Sequence, residues 1–166
     1  MDDLYVECMV PRKPLPAETL IKGAAWGAAA LCVLLGFMNI IMMIPAVIIA
    51  AADYFLLPRL SVEYEYLYVS KSLQIDRIFS RQNRSKAVEY DLEKMEIFAA
   101  EGAWQLDEYK NMNTTDKDYT SGYPDREVWI LIVHNGQNID RVRLEPNAEL
   151  VQAMRTVFPR KTFTNG

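Results

Sequence analysis

Hydrophobic and polar positions fall into two regimes along this chain. From Gly23 to Ala52, thirty consecutive residues carry no formal charge. From Leu60 onward, apolar and polar residues alternate in short runs. The first pattern predicts membrane helices and the second predicts antiparallel strands.

The uncharged run is too long for one simple span. Thirty helical residues measure about 45 Å, against a hydrocarbon core of about 30 Å. Extended to Ala17–Leu57, the stretch divides into two helices, 17–36 and 40–57, about Gly36-Phe37-Met38-Asn39. Gly and Asn tolerate left-handed backbone and suit a tight connection. Pro45 falls in the first turns of the second helix. The expectation is a two-helix transmembrane hairpin over 17–58, preceded by an extended cytoplasmic lead-in, 1–16, held out of the helix by Pro11, Pro14 and Pro16.

Charge orients this hairpin. Arg12, Lys13 and Lys22 precede it, Arg59, Lys71, Arg77 and Arg81 follow it, and the turn has no charge. Basic residues mark the cytoplasmic side. The reading is therefore a multi-pass cell-membrane protein with both termini cytoplasmic. No signal peptide is expected, because the chain opens on the acidic Met1-Asp2-Asp3.

Two charges fall within the spans. Lys22 lies sixteen residues before Met38 and Asp53 fifteen after it, so a hairpin puts them at one depth. Either they form an intramembrane ion pair, or each reaches the headgroups alone. Gly23 and Gly27 have small-xxx-small spacing, answered by Ala46 and Ala50 in the second span. These small residues serve either packing within the hairpin or a homo-oligomer.

The strand-like part begins with Val62, Tyr64, Tyr66 and Tyr68 alternating with Glu63, Glu65 and Leu67. A second run covers Leu73–Phe79 and a third Val88–Leu92. A fourth strand is expected over 94–99. Val128–Val133 is apolar throughout, as a strand covered on both faces would be. Asn135-Gly136 marks a hairpin turn, with Ile139, Val142 and Leu144 in the return strand. Pro146 to Phe158 reads as a C-terminal amphipathic helix, stopped by Pro159. The 101–125 segment reads as a long polar loop with one short strand near Gln105–Lys110. The sum is six or seven strands and one helix that could plug a curved two-sheet barrel.

This order resembles the pleckstrin-homology-like (PH-like) fold. The runs Tyr64-Glu-Tyr-Leu-Tyr, Leu73-Gln-Ile-Asp-Arg-Ile, Arg81-Gln-Asn-Arg-Ser-Lys86 and Val88-Glu-Tyr-Asp-Leu look like bacterial PH-like domains that follow a two-span hairpin in small Gram-positive membrane proteins. The segments Val6-Glu-Cys-Met-Val-Pro-Arg-Lys-Pro14, Arg143-Leu-Glu-Pro-Asn and Phe158-Pro-Arg-Lys161 are similar to one uncharacterised clostridial family of this kind. The resemblance implies an α+β membrane protein: an N-terminal helical hairpin, then a PH-like antiparallel barrel or sandwich over 60–166 with a C-terminal helix. It implies no catalytic residue.

Candidate chemistry is sparse. One histidine, His134, excludes His-based triads and metal clusters. Cys8 and Cys32 lack metal-ligand spacing, and no Gly-rich phosphate loop is present. Asp107-Glu108 and Asp116-Lys-Asp118 lack the spacing of a calcium loop. No catalytic residue, cofactor or metal is expected. The net charge of −4 argues against nucleic acid, which wants a broad basic face. The basic group Arg77, Arg81, Arg84 and Lys86 clusters on one strand turn and could contact anionic lipid headgroups, or be an ordinary solvated tip. The leading expectation is a non-catalytic, membrane-tethered domain that recruits an unknown membrane or cytoplasmic protein. The alternative is a sensor of anionic lipid.

Overall fold

The computed structural model describes residues 5–57, 61–79 and 83–164. Element order is β1 (Tyr5–Pro11), α1 (Pro16–Met38), α2 (Met43–Leu56), β2 (Val62–Val69), β3 (Ser72–Phe79), β4 (Asn83–Asp91), β5 (Met95–Ala100), β6 (Thr115–Asp118), β7 (Trp129–Asn135), β8 (Asn138–Leu144), α3 (Ala148–Val157) and β9 (Thr162–Phe163).

The strands form two sheets, ordered β1-β2-β3-β4 and β6-β8-β7-β5-β9. They do not close into the expected barrel. A 3-10 turn at Leu92–Lys94 carries the chain from one sheet to the other, so no ladder joins β4 to β5. Two pairings are parallel, β6 with β8 and β5 with β9. Among the described residues there are nine strands, where six or seven were expected.

Period-2 alternation sets the core. Tyr64, Tyr66 and Tyr68 of β2 point inward with Leu73 and Ile75 of β3 and Tyr90 of β4. They meet Phe98, Trp129, Leu131 and Val142 from the other sheet, and Leu150, Ala153 and Met154 of α3 close the same cluster. Trp129 stacks on Phe98 with ring centroids 4.8 Å apart. The Tyr66 hydroxyl donates to the Tyr119 carbonyl at 2.6 Å and accepts from the Glu145 amide at 3.3 Å. The phenol that anchors β2 thereby satisfies two backbone groups of the facing layer.

The expected two-sided cover of Val128–Val133 is present. Trp129, Leu131 and Val133 face the main core, while Ile130 and Ile132 face a second cluster with Ile97, Ala99, Ala103 and Leu106. The second cluster lies under a 3-10 helix at Trp104–Tyr109. That helix replaces the short strand expected near 105–110; the strand of this segment is β6 instead. Asn135 pairs with Asn138 across the expected turn, where Gly136 has φ +65°.

α3 is shorter than expected. Pro146 lies before it rather than in its first turn, and Asn147 caps it, its Oδ1 accepting from the Leu150 amide at 2.8 Å. Residues 5–11 are extended as expected, but they are also paired. β1 lies antiparallel on β2, with Cys8 opposite Tyr66.

α1 and α2 pack side by side. The less exposed positions of α1 are Glu18, Lys22, Ala25, Ala29, Cys32 and Gly36, alternating steps of four and three as on a coiled-coil seam. Ala29 of α1 and Ala46 of α2 are buried. The connection differs from the expected turn. α1 runs through Gly36 to Met38, and Asn39 is extended, its Oδ1 accepting from the Ile41 amide at 3.1 Å to start a 3-10 turn. Gly36 serves a close approach, since an added Cβ would meet Met43 Cγ at 2.9 Å. Pro45 sits in the first turn of α2, where its missing N–H costs nothing.

Candidate functional site

The basic group near the β3–β4 connection does not form a free patch. Arg81 lies outside the described residues. Arg77 rests over the Tyr119 ring, 5.8 Å from its centroid. Lys86 pairs with Glu89. Arg84 pairs with Glu65 and, at 3.6 Å, with Asp76.

That last network was not foreseen. Glu65 and Asp76 face one another across β2 and β3, on the side of the sheet away from the core. Strand alternation places both there, yet they are only 2% and 1% exposed. A register shift between Ile75 and Asp76 sets Lys86 opposite Asp76 and brings Arg84 within reach of both carboxyls. Gln74 Nε2 donates to Asp76 Oδ1 at 2.9 Å. Burial pushes the Glu65 carboxyl above its usual range, a hydrogen bond with Glu7 adds to the rise, and Arg84 only partly offsets it. The sequence signal was weak: one basic residue two strands away, usable only once register is known.

The 101–125 segment is tied down. Arg143 of β8 binds Glu101 at 3.1 Å and Asp118 at 2.9 Å. Glu145 accepts from both the amide and the hydroxyl of Ser121 at 2.9 Å. Asp107 pairs with Lys110, so two of the four acidic residues singled out in the sequence hold cations of this chain. His134 meets Glu96 at 2.9 Å on the surface. Cys8 is buried, which pushes its thiol up. Among the described residues no three His, Cys, Asp or Glu side chains are placed to hold a metal. Trp104 remains 75% exposed. Among the described residues β4 pairs only with β3, and Asn83–Lys86 are exposed. Such an edge is a template for an added strand.

The small and charged residues of the helices are divided between the α1–α2 contact, a groove beside it and the outer surface. Nothing lies within 4 Å of a Cβ added to Gly23 or Gly27, so the contact between α1 and α2 does not use them. Ala46 is in that contact and Ala50 lines a groove of about 430 Å³ beside it. Lys22 and Asp53 line the same groove but form no ion pair. Lys22 Nζ donates to Ser61 Oγ at 3.3 Å, and Asp53 Oδ2 is buried without a hydrogen-bond partner among the described residues.

Residues 2–164 match the family model of a bacterial PH-like domain, DUF6106. The chain belongs to that family. No curated protein and no solved structure matches it. The match supplies the architecture of the PH-like domain and assigns no residue to a reaction.

The Glu65 network gives the PH-like domain a pH signature. The folded state binds the Glu65 proton more tightly than the unfolded chain does. The stability this contributes is complete below the ordinary value of 4.5 and is lost as pH rises through the higher folded value. Glu65→Gln removes that titration. In thermal melts between pH 4 and 8, the wild-type melting temperature should fall relative to the variant as pH rises. A constant difference would show that Glu65 titrates normally.

Proposed function

We propose that this protein is a non-catalytic membrane module. α1 and α2 cross the bilayer as a hairpin, both chain ends lie in the cytoplasm, and the PH-like domain is presented there to recruit a protein partner. The observation that carries the reading is the outer surface of the two helices. Leu20, Phe37, Met38 and Ile40 are 74–87% exposed, and their neighbours outside the α1–α2 contact are apolar too. Water would not tolerate so large an apolar patch; lipid would cover it. α1 has the length of a span, and α2 approaches it only together with the turn before it. The 23 residues of α1 measure about 34 Å. The 14 of α2 with the preceding 3-10 turn measure about 27 Å.

The partner reading draws on the β4 edge and on Trp104. The headgroup reading of 77–86 draws less support, since Arg84, Lys86 and Arg77 already have acidic or aromatic neighbours within the chain. Three measurements test the proposal. Alkaline carbonate should leave the full chain in the membrane pellet. A cysteine at Met38 and one at Gly166 should be labelled from opposite sides. A photo-crosslinker at Ser85 should give a discrete adduct that one at Glu149 on α3 does not. Extraction into the supernatant sinks the membrane reading, and matching adduct patterns sink the edge reading.

A further inference from the structure

The groove between α1 and α2 is built unlike the rest of their surface. It lies at the end of the pair that adjoins the β-sheets, since Lys22 on its rim reaches Ser61 just before β2. Two alanines, Ala29 and Ala50, open its floor. Trp26 and Tyr54 flank it and are 68% and 76% exposed. Its volume of about 430 Å³ is far more than one ion needs.

Three features specify an occupant. Asp53 Oδ2 is a buried acceptor with no donor among the described residues, which is costly in an apolar wall. Lys22 offers a cation on the same rim and is held by one neutral hydroxyl. The aromatic faces of Trp26 and Tyr54 favour an approaching cation. A molecule that complements all three carries a donating cation for Asp53, an anion for Lys22 and apolar chains for the floor.

We propose that this groove holds one phospholipid whose headgroup bears a primary ammonium, with the ammonium on Asp53 and the phosphate on Lys22. Phosphatidylethanolamine has that chemistry. A choline headgroup carries the charge but cannot donate a hydrogen bond, and a glycerol headgroup donates without the charge. The inference rests on the membrane reading above and extends it to lipid choice.

The test is native mass spectrometry of the full chain in detergent with equimolar phosphatidylethanolamine, phosphatidylglycerol and phosphatidylcholine of identical acyl chains. The ethanolamine lipid should be retained about tenfold over each of the others, the ratio expected from one charge-assisted hydrogen bond. Asp53→Asn should bring the ratio near one, Asp53→Glu should largely keep it, and Gly23→Ala on the outer face should not change it. Equal retention of the three lipids overturns the proposal, as does an unchanged preference in Asp53→Asn. Competition by chain-free glycerophosphoethanolamine would assign the site to a soluble metabolite instead. Lipid-free dimers would assign the groove to a second copy. Carbonate extraction of the same samples separates the two claims: wild-type protein that stays in the pellet yet shows no preference refutes only the lipid site.

Discussion

Arg84→Ala should destabilise the β-sandwich by about 2–3 kcal/mol, a large loss for a residue on an exposed strand. The reason lies in what it leaves behind. Glu65 and Asp76 are nearly inaccessible, and Arg84 is the cation bound to both. Removing one partner of a buried pair costs about 3–5 kcal/mol, because the remaining charge is uncompensated. The Arg84 side chain is itself 54% exposed, so water entering its place recovers part of that, which sets the lower figure. Arg84→Lys should lose about half as much, since a point charge cannot serve two carboxyls with one planar fork. Combining Arg84→Met with Glu65→Gln and Asp76→Asn should recover most of the stability, because neutral amides leave no unpaired charge. Urea unfolding of the full chain in detergent measures all three. A loss under about 0.5 kcal/mol in Arg84→Ala would mean the pair is an ordinary surface contact.

This network shows where sequence reading stops. Alternation in Tyr64-Glu-Tyr-Leu-Tyr assigned Glu65 to the outer face, and the structure puts it there. Alternation alone does not say whether that outer face is open to solvent. Burial on that face depends on side chains from β3 and β4, and their placement depends on the register shift at Ile75 and Asp76. No local pattern encodes a bulge between strands. β1 escaped for a related reason. Tyr5–Pro11 does alternate, with Cys8 and Val10 inward, but prolines follow it and two helices separate it from its partner β2. Its pairing is a long-range fact. β6 and β9 have four and two residues, too few for any period to show.

What was legible rests on strong local rules. The tyrosine stripe of β2, the Asn135-Gly136 turn and the α3 spacing each combine a periodic signal with a terminating residue. The helices were legible as elements, but not in their faces. The spacing of Gly23 and Gly27 offered a face for packing within the hairpin or in a homo-oligomer; the seam between α1 and α2 runs instead through Ala25, Ala29 and Cys32. Small residues permit a close approach; they do not choose which side of a helix makes it.

The two-sided burial of β7 is the remaining inference with a large measurable consequence. Leu131 and Ile132 are adjacent, both 0% exposed, and point to opposite clusters. Leu131→Ala removes packing from between the two sheets, where collapse is hindered on every side, and should cost about 3–4 kcal/mol. Ile132→Ala removes it from beneath the 3-10 helix Trp104–Tyr109. If that helix is a fixed lid on the sheet, the cost is nearly the same, about 2.5–3.5 kcal/mol. If it opens readily, the cavity relaxes and the loss drops to about 1 kcal/mol. Its anchors favour the fixed state: the Ala103 and Leu106 side chains are buried in the cluster, the Leu106 amide bonds Ala103 at 3.0 Å, and the Glu101 amide bonds Val128 at 2.8 Å. The comparison of these two variants by urea unfolding therefore reads the rigidity of the segment that carries exposed Trp104. A rigid segment presents that indole at little entropic cost, as a docking surface requires. Near-equal losses support the role given to this face, and a small loss at Ile132 with a full one at Leu131 would remove it.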